Sequence, residues 1–293
     1  MKKNKFASKI CLINYNFALN NNICRVRMVK TKKEKTLIKV GITGALGKMG
    51  REVVEAVAAS SDCELVLAVD VVGIGTEVLK GVFVESDLEA GIDKANPDVI
   101  VDFTQPDNVY KNVKTYIEKG VKSVIGTTGL MPEQIKEIEK LSEEKQVGVI
   151  IAPNFSIGAV LMMMFSGLAA KYFDNAEILE FHHNQKKDAP SGTAIKTAEI
   201  MRREKENFAL GNCAEVETME GARGANHDGN IRIHSIRMPG YVASQEVIFG
   251  SSGQTLKIRH DSIDRKCYMS GVLLAVRNVF ENNKFIYGLE NIL

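Results

Sequence analysis

The stretch LIKVGITGALGKMG, residues 37–50, runs a short β-branched strand into three glycines spaced GxxGxxG and then into a helical pattern. A strand, a tight glycine turn and a helix in that order form the first half of a parallel βαβ unit. Gly44, Gly47 and Gly50 let the backbone turn sharply, come close to an anionic group and pack the helix on the strand. The helix start offers N–H groups with no intrahelical partner and the positive end of the helix dipole. That combination cradles a pyrophosphate. Asp70 ends the next strand pattern, 20 residues after Gly50, where a dinucleotide fold places the acid that binds a ribose. Its carboxylate accepts from both ribose hydroxyls and repels a 2′-phosphate. Val71 and Val72 follow it and supply no arginine to offset that repulsion, so NADH is expected to bind at least as well as NADPH. Lys48 stands close enough in sequence to reach a phosphate.

The same alternation continues downstream. Helical periodicity over 47–60, strand patterns at 64–70 and 98–104, a helix over 106–120, a strand at 121–129 running into a loop, a helix over 132–145 and a strand at 147–152 predict a parallel sheet with crossover helices. In the 106–120 segment Val109, Val113, Tyr116 and Ile117 share one helical face. After Asn154 the rhythm changes: a helix near 157–172, a strand at 176–183, a helix after PSGT, a Gly-rich linker at 221–230, three consecutive strands and a last helix near 265–282. Strands joined by tight turns predict a mixed, mostly antiparallel second sheet. The fold class expected is α/β, a dinucleotide-binding domain with a second α+β domain.

Composition excludes several classes. Of 38 Lys/Arg and 36 Asp/Glu, residues 1–39 hold eleven and one, leaving a body with 27 basic and 35 acidic residues and no nucleic-acid footprint. The basic leader, residues 1–36, reads as a disordered extension, as the product of an upstream start with Met28 as the functional first residue, or as a targeting segment. Five cysteines (Cys11, Cys24, Cys63, Cys213 and Cys267) without CxxC spacing argue against a disulfide framework and for a reducing, cytoplasmic compartment. The charge-free run from Gln146 to Ala170 is broken by Pro153, Asn154 and Ser156, so it reads as a buried strand, a loop and a buried helix, not as a membrane span.

Ligands of open α/β sheets bind at the carboxyl ends of the parallel strands. Three such ends carry polar or small loops here, DFTQPD (102–107), GTTG (126–129) and APNFSIG (152–158). The densest chemistry lies in EFHHNQKKDAPSGTA, residues 180–194. In a strict strand His182 shares a face with Glu180 and His183 with Phe181, so both histidines reach one ligand only if the strand ends near 182. Adjacent histidines chelate one metal poorly, and no metal is expected. Ser191 is a plausible N-cap, leaving the N–H groups of Gly192 and Thr193 as a carboxylate cradle. With Lys186 and His183 the pocket is cationic and suits a small dicarboxylate. A hydride arriving at one end of a C=C–C=N system demands a proton at the other, which a histidine supplies.

GITGALGKMG, DFTQPD, VIGTTG, APNFSIG and EFHHNQKKDAPSGTA together resemble the 4-hydroxy-tetrahydrodipicolinate reductase (dihydrodipicolinate reductase) family of diaminopimelate and lysine biosynthesis, from about Ile38 to the C-terminus. The resemblance implies NADH or NADPH as cofactor and a reduction yielding tetrahydrodipicolinate. It implies His182 as the general acid/base and Lys186 as a proton donor able to pair with a substrate carboxylate. It implies His183, Gly192 and Thr193 as substrate contacts. It places Gly44, Ala45, Leu46, Gly47, Lys48 and Met49 at the pyrophosphate, Asp70 at the ribose, and Gly126, Thr127, Thr128, Ala152, Pro153, Asn154 and Phe155 on the nicotinamide side, with Arg265 returning to the cofactor. It further implies a homotetramer, with residues 37–155 and 264–293 as the cofactor domain and 156–263 as the substrate and assembly domain. Gln105 and Val71 stand where some members carry arginine, which weakens NADPH selectivity. A related amino-acid dehydrogenase and a non-catalytic dinucleotide sensor are the alternative readings; the sensor would need neither His182 nor Lys186.

Overall fold

The computed structural model describes residues 37–211 and 213–293; the expectations for residues 1–36 lie outside these. In chain order the first sheet takes β1 (Ile38–Thr43), β2 (Cys63–Val69), β3 (Glu77–Leu79), β4 (Val82–Glu85), β5 (Val99–Asp102), β6 (Lys122–Ile125) and β7 (Val149–Ile151). Helices α1 (Lys48–Ala59), α2 (Leu88–Ala95), α3 (Pro106–Glu118) and α4 (Pro132–Lys145) lie between its strands. There follow α5 (Ile157–Ala170), β8 (Asn175–His182), α6 (Gly192–Glu204), β9 (Ala225–His227), β10 (Ile231–Arg237), β11 (Ala243–Ser251), β12 (Gln254–Ser262), α7 (Met269–Glu281) and β13 (Phe285–Tyr287).

The first sheet has the order β13-β7-β6-β5-β1-β2-β4-β3. It is parallel throughout except for β3, which pairs antiparallel with β4. Strand order reverses beside β1, which sits between β2 and β5 and opens a crevice at its carboxyl end. Its central strands β1, β5, β6 and β7 are buried on both faces, as a parallel sheet requires, and are rich in Val and Ile, while the edge strands β3, β4 and β13 are more open. The predicted face of α3 is the buried one: Val109, Val113, Tyr116 and Ile117 are at most 1% exposed. Each such burial contributes about 1.5–3 kcal/mol. Pro106 opens α3 at a position that needs no N–H donor.

The second sheet has the order β12-β11-β8-β10-β9. β8 and β10 run parallel and the other pairs antiparallel. One face packs Ile178, Ile233, Val247 and Phe249 against α5 and α6 through Ala169, Ala194, Ala198 and Met201. The charge-free run becomes β7, a loop and α5. Among the described residues no helix is long and apolar enough to cross a membrane.

Several boundaries differ from the sequence reading. The 98–104 strand stops at Asp102, whose side chain turns inward to bond the loop that follows. The Gly-rich linker contains the edge strand β9, which pairs with β10. The last helix opens as a 3-10 turn, Arg265–Tyr268, because the Asp264 carboxylate accepts from the Lys266 N–H and tightens the chain there. The hairpin β3–β4, helix α2 and strand β13 are too short to carry a period. β13 nevertheless completes the first sheet beside β7, and α7 buries Val272, Ala275, Val276 and Val279 in the same core as Val101, Val124 and Ile150.

Candidate active site

At the carboxyl end of β1 the chain turns with Gly44 at φ +75, and a Cβ there would run into the Phe103 carbonyl oxygen. A Cβ on Gly50 would run into the Gly44 carbonyl, so α1 lies against the turn only because both residues are glycine. α1 has Gly47 at its N-cap and no side-chain cap, whereas α2, α5 and α6 are capped by Asp87, Ser156 and Ser191. The uncapped helix start suits a phosphate oxygen. Asp70 ties the turn in place: its Oδ2 accepts from the Leu46 N–H at 2.8 Å and its Oδ1 from the Val71 N–H at 2.7 Å. Gly44, Leu46, Gly47, Asp70, Val71, Phe103, Gln105 and Lys111 line a cleft of about 680 Å³ here, a size typical of small-molecule sites. Lys48 is exposed at the first position of α1, while Ala45 and Met49 face the core.

Beneath the cleft lies Asp102, with no exposed surface. Its Oδ1 accepts from the Thr104 N–H (3.0 Å) and from the hydroxyls of Thr104 and Thr127 (both 2.7 Å). Its Oδ2 accepts from the Tyr116 hydroxyl (2.8 Å) and Asn112 Nδ2 (3.1 Å). Tyr116 in turn bonds Thr43 Oγ1 at 2.9 Å. Burial, with the Asp102 charge adding to it, holds the Tyr116 phenol well above its ordinary pKa. The loops after β5 and β6, and through Tyr116 the end of β1, are thus tied to one carboxylate. Thr127 is committed inward, and Thr128 is exposed. Gly126 leaves room for the Phe103 ring, which a Cβ there would strike.

On the second sheet, β8 ends at His182, and of the two histidines it is His182 that lines the cavity described below. His182 Nδ1 lies 2.5 Å from Glu180 Oε2 on the same strand face. Ser191 caps α6, its Oγ accepting from the Ala194 N–H at 3.2 Å, which leaves the first-turn N–H groups of Gly192 and Thr193. His182, Ser191, Thr193, Asn154, Gln245, His260 and Tyr268 line a polar cavity of about 80 Å³. Burial pushes the His260 imidazole below its ordinary value, the Asp261 charge opposing it.

The other expected residues are placed differently. Lys186 donates to both oxygens of Asp188, at 2.7 and 2.8 Å, and holds that carboxyl below its ordinary value against a smaller effect of burial. The Nδ1 of His183 is buried with no partner among the described residues. Pro153 and Arg265 are exposed and line neither pocket, and Ala152 and Phe155 are buried. Asn154 Nδ2 donates to Thr193 Oγ1 at 3.4 Å and so joins the two halves, while within the cofactor half the Phe155 ring packs on Phe103 at 5.8 Å between centroids.

Sequence reasoning missed the importance of Asp102, Arg237, Gln245 and His260. Glu180 was visible as the face-mate of His182. Arg237 reaches it only through the parallel register that sets Arg237 opposite His182.

A dinucleotide crevice on one sheet, linked by Asn154 to a histidine-bearing cavity on the other, is the plan of a nicotinamide-dependent oxidoreductase. The chain matches the family models for the N-terminus of dihydrodipicolinate reductase over residues 38–155 and for its C-terminus over residues 158–293. It belongs to the dihydrodipicolinate reductase family. The 4-hydroxy-tetrahydrodipicolinate reductase of Listeria monocytogenes serotype 4b (strain CLIP80459) is 51% identical over 263 residues, 87% of this chain and 100% of that one. The enzyme of the same name from Syntrophomonas wolfei is 48% identical over 266 residues, 88% of this chain and 100% of that one. The dipicolinate-bound dihydrodipicolinate reductase of Paenisporosarcina sp. TG-14 superposes with a TM-score of 0.82 at 45% identity, covering 88% of this chain and 100% of that one. An amine dehydrogenase from Mycobacterium smegmatis, at 11% identity and a TM-score of 0.60 over 86% of this chain and 95% of that one, shares the fold alone. The protein is accordingly an NAD(P)H-dependent reductase.

Proposed function

We propose that the chain carries out its family's reduction, converting the dehydrated form of 4-hydroxy-tetrahydrodipicolinate to tetrahydrodipicolinate in diaminopimelate and lysine biosynthesis, at the junction of the cleft and the cavity. The observation that carries this reading is the cavity shared by His182, Thr193 and Asn154, with Asn154 bonded to Thr193. One loop thereby touches both the cofactor side and the carboxylate cradle. Bound NADH or NADPH would supply the hydride. Gly44 to Met49 would hold its pyrophosphate, Asp70 its ribose, and the loops at 126–128 and 152–155 its nicotinamide side, with Arg265 closing over it.

On the substrate side, the N–H groups of Gly192 and Thr193 bind one carboxylate of a small dicarboxylate, with His183 beside them. Lys186 exchanges its Asp188 partner for a substrate carboxylate and stands as a proton donor. His182 holds the proton at the cavity wall. Either Lys186 or His182 delivers it as the hydride arrives. Asp70, with Val71 exposed beside it, favours a free ribose, so NADH should serve at least as well as NADPH.

Residues 37–155 with 264–293 act as the cofactor domain and 156–263 as the substrate domain; the pairing of β13 with β7 supports that division. Assembly as a homotetramer through the second sheet is supported by its outer face, where Leu179, Phe181 and Ile248 are only half-buried, and by the edge strand β12. The free thiols of Cys63, Cys213 and Cys267 suit the cytoplasm.

The test is NADH and NADPH oxidation with freshly generated substrate, for the wild type and Lys186→Ala. The wild type should turn over, and Lys186→Ala should lose at least tenfold in kcat/KM with NADH binding nearly intact. Equal losses in turnover and cofactor affinity would contradict a substrate-side role for Lys186. No turnover by the wild type would favour the sensor.

A further inference from the structure

Glu180 has no exposed surface and takes no part in the reading above. Four donors with close geometry converge on its two oxygens, and the Ser235 hydroxyl, opposite it on β10, adds a further hydrogen bond. Oε2 faces His182 Nδ1 at 2.5 Å and Arg237 Nη1 at 2.9 Å. Oε1 accepts from Arg237 Nη2 at 2.7 Å and from the Ser191 N–H at 3.2 Å. Arg237 is itself anchored on backbone, donating to the carbonyls of Asp188 at 2.7 Å and Ile236 at 2.9 Å. The planar guanidinium meets the carboxylate two-pronged, a pairing that lysine cannot reproduce.

Burial alone would raise the Glu180 carboxyl, but the hydrogen bonds from His182 and Arg237 outweigh it and hold it at about 2. An ionised carboxylate only accepts. His182 Nδ1 must therefore carry a hydrogen whether the ring is charged or neutral. Proton exchange is left to Nε2.

We propose that Glu180, aligned by Arg237, is the positioning residue of His182. It fixes the imidazole so that the proton passes only through Nε2, and through the Ser191 N–H it holds the first turn of α6 where the substrate carboxylate binds. One buried carboxylate thus sets the proton donor and the anion cradle in register. This rests on His182 being the proton-bearing group.

Glu180→Gln tests it. In the variant the amide oxygen faces the two donors that sat on Oε1, Arg237 Nη2 and the Ser191 N–H. The amide NH₂ is then aimed at His182 Nδ1, and also at Arg237 Nη1, which can only donate and has to shift away. Nδ1 must become the acceptor, and the neutral ring is forced to carry its proton on Nε2. The experiment is nitrogen NMR of the ligand-free full-length protein labelled at histidine, with His182→Gln identifying the His182 signals. kcat, KM and NADH affinity are measured on the same preparations. Neutral His182 should change from the Nδ1–H to the Nε2–H form, and kcat should fall on the order of 10²-fold. NADH affinity should stay within about twofold, because no cofactor residue is touched. In the His182→Gln background the same change should cost less than about threefold, since the group it positions is gone.

An unchanged tautomer with unchanged kcat, or equal losses in both backgrounds, overturns the positioning role. Full activity in His182→Gln overturns the assignment of His182 itself. A slow His182→Gln beside an unaffected Glu180→Gln overturns only the positioning. If Arg237, left without a counter-charge, prevents folding, the pair Glu180→Gln with Arg237→Gln removes both charges. There a mixture of tautomers supports the proposal, and a pure Nδ1–H form overturns it.

Discussion

Among the described residues Asp102 and Glu180 are the carboxylates with no exposed surface, one near the end of a strand in each sheet, and they are held in opposite ways. Asp102 is met by three hydroxyls, one side-chain amide and one backbone N–H, all neutral. Glu180 is met mainly by a guanidinium, an imidazole and a backbone N–H, with a single hydroxyl, that of Ser235, beside them. Hydroxyls and amides can turn and become acceptors; a guanidinium cannot. The first network is therefore an adaptable tie among the β-to-α loops that shape the cofactor cleft. The second is a rigid specification of where hydrogens sit, which is what proton transfer needs.

The sharpest way to break the comparison is at the group that Glu180 serves. His182→Gln should lower kcat about 10²- to 10⁴-fold while NADH affinity, measured by fluorescence titration, stays within about twofold. A matching loss of NADH binding would mean that the second sheet's network shapes the cofactor cleft as well. Next in size, Asp102→Ala removes the acceptor from five donors, those of Tyr116 and Thr127 buried and those of Thr104 and Asn112 half-buried, and should cost about 3 kcal/mol or more of stability in urea unfolding, with weaker NADH binding because the end of β1 and the loops after β5 and β6 lose their tie. Smaller still, Asp102→Asn should cost only about 1 kcal/mol, since Tyr116 and Asn112 can reorient around the new NH₂ group. An Asn variant as damaged as the Ala variant would show that Asp102 acts through its charge after all.

The smallest effect is a pH slope. Glu180 is held at about 2 in the folded protein, against about 4.3 when unfolded. The native state therefore binds fewer protons between those values. Its contribution to stability is complete above about pH 5 and is lost as the pH falls towards 2. Denaturant midpoints measured from pH 5 to 2.5 should fall less steeply in Glu180→Gln than in the wild type. Parallel curves would leave Glu180 without this share.

The same contrast explains what could be read from the chain. The cofactor turn was legible because its glycines are dictated by local backbone geometry: Gly44 needs a positive φ, and Gly50 must sit against the Gly44 carbonyl. α3 was legible from its periodicity, and the end of β8 from the alternation of Glu180, His182 and their neighbours. What escaped is non-local or short. Arg237 meets Glu180 across 57 residues of sequence, and Asp102 reads in the sequence only as the first residue of the DFTQPD loop, with nothing to show that it faces inward. The hairpin β3–β4 and strand β13 have three or four residues each, too few for alternation to stand out. Lys186 reads in the sequence as chemistry, while its pairing with Asp188, two residues on, is a matter of loop geometry.

The pairing of β13 with β7 has a consequence for how the polypeptide is made. Residues 149–151 emerge early, yet the strand that covers their edge lies at 285–287, after the whole of the second sheet has been translated. At roughly 5–20 residues per second the delay is on the order of ten seconds. During it the nascent β7 edge stays open to any passing strand, a hazard that this architecture accepts until residues 285–287 arrive.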